Sequence, residues 1–298
     1  MSMSFHCTTQ SATRLRALLQ APGLICMPCC FDAFSARLIE QAGFELSFMS
    51  GFSVSAARLG LPDTGLISYA EMLDQGRSIC QATQLPVIGD ADTGYGNVIS
   101  AQRTVFGYAN AGFAGLMIED QRAPKRCGHT RGKEVVTRDE AIARMQAVLA
   151  ARAQLQAQGG DLIVIARTDA RASLGLTEAI TRARIFAEMG ADIAFVEAPC
   201  SESEMQRICL EVPGHKMANL VEQGDTPVLT PTQLQALGFK LAAYPLTLLS
   251  AAAKAMQEAL ASLKTDTHPD NLISFRALQD IVGFNDYDAA LDRLERSS

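Results

Sequence analysis

The sequence predicts a (β/α)8 TIM-type barrel with extra C-terminal helices, and three observations carry that reading. Eight short apolar runs alternate with longer amphipathic segments, at 23–29, 46–50, 86–90, 115–119, 162–167, 193–197, 216–219 and 240–244. Nearly every run stops on a side chain with a functional group: Ser50, Asp90, Glu119, Arg167, Glu197 and Asn219. No G-x-G-x-x-G follows the first run, which counts against a doubly wound sheet.

The elements follow in order. The first run contains Cys26-Met27-Pro28-Cys29, a C-x-x-C spelling. A redox motif of that kind should open a helix after a strand, and a zinc site needs a second ligand pair nearby. Neither context is present, so these thiols are expected to be small core residues. The second run ends at Ser50-Gly51, and the third leads into D-A-D-T-G-Y-G-N over 90–97. The fourth meets two carboxylates, Glu119 and Asp120, then a loop broken by Pro124, Gly128 and Gly132. That loop is long for a βα connection, and the segment 122–136 is expected to hinge over a bound substrate. A helix is predicted over 139–158, with Ile142, Met145, Leu149, Arg152 and Leu155 near helical spacing and Gly159-Gly160 as its stop. Another covers 176–189 and closes at Gly190. His215 and His268 read as turn residues. Beyond 246 the chain reads as helix throughout, with apolar positions Leu272, Ile273, Phe275, Leu278, Ile281, Val282 and Phe284. One domain, 1–298, is expected, with 246–298 as a helical extension. Eight barrel helices leave little apolar surface on which to bury that extension, so it is expected to dock on a neighbouring subunit.

Composition excludes several classes. At 298 residues the chain can bury a large core, and its 48% hydrophobic and 19% charged residues are ordinary for a globular protein. A net charge of −6 without a long basic run argues against nucleic acid or an anionic membrane as partner. No apolar stretch reaches the roughly 18–20 residues of a membrane span. The N-terminal residues show no basic region followed by an apolar block, so a cytoplasmic protein is expected. Eight cysteines scattered through apolar or helical segments fit a reducing compartment better than a disulfide framework.

Chemistry concentrates where the strands end. In a barrel those ends converge on one mouth. Asp90 and Asp92, two residues apart in an extended segment, can present their carboxylates to one cation, and oxygen donors without histidine favour Mg2+ or Mn2+. The 12-residue calcium loop does not fit, because its sixth position is Tyr95 and its twelfth is Ala101. Arg167 at a buried strand end needs an acidic partner such as Glu197, or a substrate carboxylate. Cys127 lies in a loop with Lys125 and Arg126 before it and His129 two residues after. Positive neighbours stabilise a thiolate and suit the thiol to proton transfer.

Taken together these residues resemble the isocitrate lyase and phosphoenolpyruvate mutase superfamily, over most of the chain from about residue 25 to 248. The markers are S-G-F-S-V-S-A (50–56), L-G-L-P-D (59–63), D-A-D-T-G-Y-G-N (90–97), E-D-Q (119–121), K-R-C-G-H (125–129), A-R-T-D-A (166–170), V-E-A-P (196–199) and N-L-V-E-Q-G-D-T-P (219–227). K-R-C-G-H resembles the lyase branch, where the cysteine is the catalytic acid; phosphonate-forming members usually carry a different loop there. The resemblance implies a Mg2+-dependent retro-aldol cleavage of a 2-hydroxy di- or tricarboxylate to a 2-oxo acid, such as pyruvate, and a second carboxylate. It implies a metal held by Asp90 and, through water, by Asp63, Asp92 and Glu119, with Mn2+ as a substitute. Ser50, Gly51, Phe52 and Arg167 would hold the 2-oxo acid. Cys127 would protonate the second product, tuned by Lys125, Arg126 and His129, while Glu197, Asn219, Thr226 and Pro227 orient its carboxylate. The context is most similar to the alkylmalate lyase group, which includes 2,3-dimethylmalate lyase and the petal death protein, with 2-methylisocitrate lyases close behind. Oxaloacetate hydrolases, associated with a serine after the eighth strand where Tyr244-Pro245 stands here, and phosphonate-type mutases are the alternatives. The resemblance further implies a homotetramer, a dimer of dimers with terminal helices exchanged between subunits. A non-catalytic carboxylate-binding barrel would be expected to lack a metal carboxylate or the cysteine, and neither is missing.

Overall fold

All eight apolar runs are strands in the computed structural model, which describes residues 8–128 and 132–296. They are β1 (Ile25–Cys30), β2 (Ser47–Met49), β3 (Val87–Asp90), β4 (Gly115–Glu119), β5 (Ile163–Thr168), β6 (Ile193–Val196), β7 (His215–Asn219) and β8 (Leu241–Tyr244). Each pairs in parallel with the next, and β8 returns to β1 to close the barrel. Strand ends differ from the sequence reading for local reasons. Ser50 leaves β2 because its hydroxyl accepts from Ser53 N and caps α3 (Gly51–Val54). His215, read as a turn residue, is the first residue of β7.

Around the barrel run α2 (Ala33–Gln41), a π-helical turn (Ser55–Leu59) continuing α3, α4 (Tyr69–Ala82), α5 (Val98–Ala111), α6 (Arg138–Ala157), α7 (Ala170–Leu174), α8 (Leu176–Glu188), α9 (Glu202–Glu211) and α10 (Pro231–Leu237). Capping sets several of their starts. Asp32, Ser68 and Thr230 each close a reciprocal capping box with the residue three positions on. Between strands and helices lies an outer core that includes Tyr108, Phe113, Leu116, Val148, Val164 and Phe186. Inside the barrel, Met27, Phe48, Ile88, Met117, Ile165, Phe195 and Leu241 form a second core. A helix for which the sequence reading made no provision, α1 (Thr8–Gln20), lays Leu15 and Leu19 on that inner core and seals the end opposite the loops.

The C-x-x-C pair lies in β1, as its sequence context suggests. Burial pushes the Cys29 thiol well above its usual range, so it behaves as an apolar side chain. Beyond β8 come α11 (Thr247–Lys264), α12 (Phe275–Val282) and α13 (Phe284–Glu295). None of their residues is buried, and Leu260, Phe275 and Leu294 are 66%, 75% and 69% exposed. Among the described residues no helix is long and apolar enough to cross a membrane.

Packing under the mouth leaves no room for a side chain at Gly89 in β3. A Cβ there would stand 2.7 Å from Tyr108 and 2.8 Å from Phe113, whose rings stack at 4.8 Å. Gly89→Ala is expected to lower the free energy of unfolding by roughly 1–3 kcal/mol. Urea denaturation measures it, and an unchanged midpoint would contradict this packing.

Candidate active site

The register of β4 on β5 sets Glu119 directly opposite Arg167 at the loop end of the barrel. The Arg167 guanidinium is buried and gathers three acids. Its Nε and Nη2 donate to Asp169 at 2.8 and 3.0 Å, Nε lies 3.1 Å from Glu119, and Nη2 lies 3.2 Å from Glu197. Nη1 takes part in none of these pairs. The guanidinium also stands over the Phe195 ring, 5.5 Å from its centre. Burial works against the charged form, but Asp169, Glu119 and Glu197 together hold Arg167 protonated. Asn219 at the end of β7 donates to both Glu197 oxygens, at 3.3 and 3.4 Å.

A carboxylate nest lies beside this pair. Asp90 ends β3, its backbone carbonyl accepts from Tyr108 at 2.7 Å, and its Oδ1 accepts from Asp92 N at 3.1 Å. Gly51 opens α3 so close by that a Cβ would sit 2.5 Å from Asp90 Oδ2, which is why only glycine fits. The Lys125 ammonium lies 2.7 Å from both Asp63 and Asp92. Burial, opposed by Lys125 and reinforced by Asp90 and Asp63, pushes Asp92 up to about 7. Burial likewise raises Glu119, against the pull of Arg167. With all groups ionised, Asp63, Asp90, Asp92, Glu119, Asp169 and Glu197 outnumber Lys125, Lys133 and Arg167 by three charges.

The loop after β4 departs from the sequence reading. Lys125 and Arg126 were expected to flank the thiol as tuning cations. Lys125 instead turns into the carboxylate nest, where its charge is compensated, and Arg126 is exposed on the outer side beside Gly132. Successive extended residues point opposite ways, so chain neighbours of Cys127 need not be its spatial neighbours. Gln121 pins this part of the loop, its side-chain amide exchanging hydrogen bonds of 2.8 and 2.9 Å with the Arg126 backbone. Cys127 is half-buried and lines the same cavity as Ser50, Asp63, Asp90, Arg167, Glu197 and Asn219. Gly128 follows, packed so that a Cβ would lie 2.5 Å from Glu197 and 2.6 Å from Arg167. His129 lies outside the described residues. Thr226 is buried with its hydroxyl lacking a hydrogen-bond partner, and neither it nor Pro227 is among the residues lining the cavity.

Groups that the sequence reading left without a role support these residues from behind. Asp120 accepts from Thr168 Oγ1 at 2.7 Å, Asp169 N at 2.9 Å and Arg182 at 3.0 Å. Arg144 donates to the carbonyls of Glu119 and Gln121, at 2.6 and 3.0 Å. Lys133 donates to the Gly128 carbonyl and lies 3.6 Å from Asp169. The visible signal for Asp169 was its place two residues beyond Arg167 in A-R-T-D-A. Lys133 and Arg144 had no such signal, since each donates to backbone carbonyls and Asp169 lies far from Lys133 in the chain.

The rest of the cavity wall is apolar: Phe48, Phe52, Met117, Phe195, Met217 and Val221, with Ala243 in β8 and Pro245 and Leu246 beyond it. An acid–cation cluster over a barrel mouth, with one thiol facing it, suits chemistry on a small carboxylate. A model of the family described as phosphoenolpyruvate phosphomutase matches residues 15–264. The chain belongs to that family. Among relatives of this phosphomutase-family chain, 2,3-dimethylmalate lyase of Eubacterium barkeri is 39% identical over 277 residues, covering 92% of this chain and 94% of the relative. The chloroplastic carboxyvinyl-carboxyphosphonate phosphorylmutase of Arabidopsis thaliana is also 39% identical, with 94% and 84% covered. Among solved structures, oxaloacetate acetylhydrolase bound to 3,3-difluorooxalacetate superposes with a TM-score of 0.92 at 34% identity, over 98% of this chain and 99% of that one. Phosphonopyruvate hydrolase in complex with oxalate and Mg2+ gives 0.83 at 29%, over 95% and 98%.

Asp120→Ala would strand Arg182, Thr168 Oγ1 and the Asp169 amide in a buried setting. It is expected to cost about 3–5 kcal/mol of stability, as removing one partner of a buried ion pair does. Chemical denaturation measures it, and a loss below about 1 kcal/mol would show that water replaces the carboxylate.

Proposed function

We propose that this chain is a carbon–carbon lyase that uses Mg2+ to cleave a 2-alkylmalate, of the 2,3-dimethylmalate type, into a 2-oxo acid such as pyruvate and a second carboxylate. One observation carries the reading: a thiol-bearing loop facing Arg167, Glu197 and Asn219 in a cavity with carboxylates on one side and apolar side chains on the other. The donor set fits a divalent cation. Glu119 Oε1 is buried without a hydrogen-bond partner, and the acids of the mouth outnumber its cations even with Lys125 and Arg167 paired to them. Among the described residues no three such groups stand as a ready cage, because Lys125 occupies the space between Asp63 and Asp92. Asp90, with Asp63, Asp92 and Glu119 through water, would hold the ion. When bound, Mg2+ (or Mn2+) supplies positive charge for the 2-hydroxyl oxygen and the adjoining carboxylate.

The chain's own residues would do the rest. Ser50, the backbone at Gly51 and Phe52, and Arg167 through Nη1 hold the carboxylate that ends up on the 2-oxo acid. As the hydroxyl loses its proton, the C2–C3 bond breaks, C2–O becomes a carbonyl, and the electron pair passes to C3 and its carboxylate. Cys127 delivers a proton to C3 and is left as a thiolate. Glu197 and Asn219 orient the second carboxylate. A third carboxylate, as in 2-methylisocitrate, would find Arg167 as the one cationic side chain among the described residues lining the cavity, already paired with three acids. Alkyl substituents instead meet Phe48, Met117 and Val221. Oxaloacetate hydrolysis is the second reading, supported by the TM-score of 0.92 to oxaloacetate acetylhydrolase.

The exposed apolar residues of α11 to α13 support a further part of the proposal: a homotetramer built as a dimer of dimers, its terminal helices exchanged between subunits. Neither nucleic acid nor a membrane is a partner.

The test is release of 2-oxo acid from a panel of 2-alkylmalates, 2-methylisocitrate and oxaloacetate, with Mg2+ and with chelator. Metal-dependent turnover of an alkylmalate is expected, with Cys127→Ser lowering kcat by roughly 10²-fold or more. Turnover of oxaloacetate alone, or an unimpaired Cys127→Ser enzyme, would overturn the reading. Light scattering at micromolar concentration should give about four times 31.9 kDa; an active species at 31.9 kDa would contradict the assembly.

A further inference from the structure

Lys133 is a buried cation of the mouth to which the proposed function gives no task. Its side chain is 4% exposed, and a lysine is seldom buried so deeply without partners that hold it. The ammonium has two. It donates to the carbonyl of Gly128, the residue after Cys127, and it lies 3.6 Å from Asp169 Oδ1. Asp169 is the acid that grips Arg167 through two hydrogen bonds, so one ammonium joins the thiol-bearing segment to the carboxylate that aims the guanidinium.

The rest of the loop is tied elsewhere. At its neck Gln121 bridges Val135, Arg122 N donates to Glu134 O at 2.8 Å, and Val136 N donates to Asp120 O at 2.9 Å. Gln121 fixes the stretch up to Arg126. Farther toward the cavity, Gly128 packs against Arg167 and Glu197 with no room for a Cβ. Close packing keeps the segment at a set distance from the barrel, and the Lys133 ammonium adds an attractive link that resists its lifting. A hydrogen bond from a charged donor in a low-dielectric setting supplies that attraction.

We propose that Lys133 is a positioning residue that holds the Cys127–Gly128 segment down on the Arg167–Glu197 pair, by bridging the Gly128 carbonyl to Asp169. Its consequence for turnover rests on the assignment of Cys127 as proton donor; its consequence for the loop does not.

The experiment therefore reads the loop without substrate. Cysteine alkylation by iodoacetamide is followed residue by residue by mass spectrometry, with exposed Cys200 as the internal standard. In Lys133→Met, Cys127 should react roughly 10- to 100-fold faster, the range that one hydrogen bond to a charged group sets on a local opening equilibrium. Buried Cys29, Cys30 and Cys80 should stay as protected as before. An unchanged Cys127 rate would overturn the proposal. So would a parallel rise at the three buried thiols, which is the mark of general loosening. Should Lys133→Met not fold, Gly128→Ala keeps Lys133 and forces the segment off Glu197, and the same selective rise is expected. Its absence would equally overturn the proposal. With an alkylmalate as substrate, Lys133→Met should lower kcat more than it raises KM. Selective alkylation without turnover of any alkylmalate would sink the lyase reading and leave the positioning role standing.

Discussion

The buried guanidinium of Arg167 is the constraint on which this site depends. A charge removed from water is tolerated only if fully partnered. Here the partners are Glu119 from the neighbouring strand, Asp169 from the same strand's end and Glu197 from the next. Three loop-end acids are thereby fixed in relation to one planar cation, and the β4–β5 register supplies the first of them. Asn219 joins through Glu197, and Gly128 is packed against both members of the Arg167–Glu197 pair. Shift that register by one residue and Glu119 would face the opposite side of the sheet.

Around this cation the mouth is over-supplied with acid, and that has a physical meaning. Six buried acids facing three buried cations repel one another, and a divalent cation would lower that repulsion. Lys125 relieves part of the repulsion between Asp63 and Asp92. Its ammonium occupies the same field, and a metal entering the nest has to be accommodated alongside it or displace it.

Much of this was legible in the sequence. Eight apolar runs, six of them ending on Ser50, Asp90, Glu119, Arg167, Glu197 and Asn219, pointed to the barrel, and all six but Glu119 line the cavity, because a parallel barrel sends its strand ends to one face. What could not be read is what depends on the third dimension. Adjacency in the chain suggested that Lys125 and Arg126 attend Cys127, yet one faces the nest and the other the outside. Lys133 and Arg144 donate to backbone carbonyls, which leave no trace in side-chain spelling, and Arg182 meets Asp120 from 62 residues away in the chain. Helix α1 has its reason for existence in the barrel floor it covers, not in any strong signal of its own.

That floor has a bearing on traffic. Leu15 and Leu19 cover the far end, and Met27, Ile165 and Leu241 pack buried in the lumen. The vessel is blind-ended, so whatever enters by the loops must leave by them. Under the proposed cleavage, both fragments would share a single doorway, and the fragment nearer the Cys127 segment would stand in the other's path. Departure is then a queue, and its order is written into the depth at which each fragment is held.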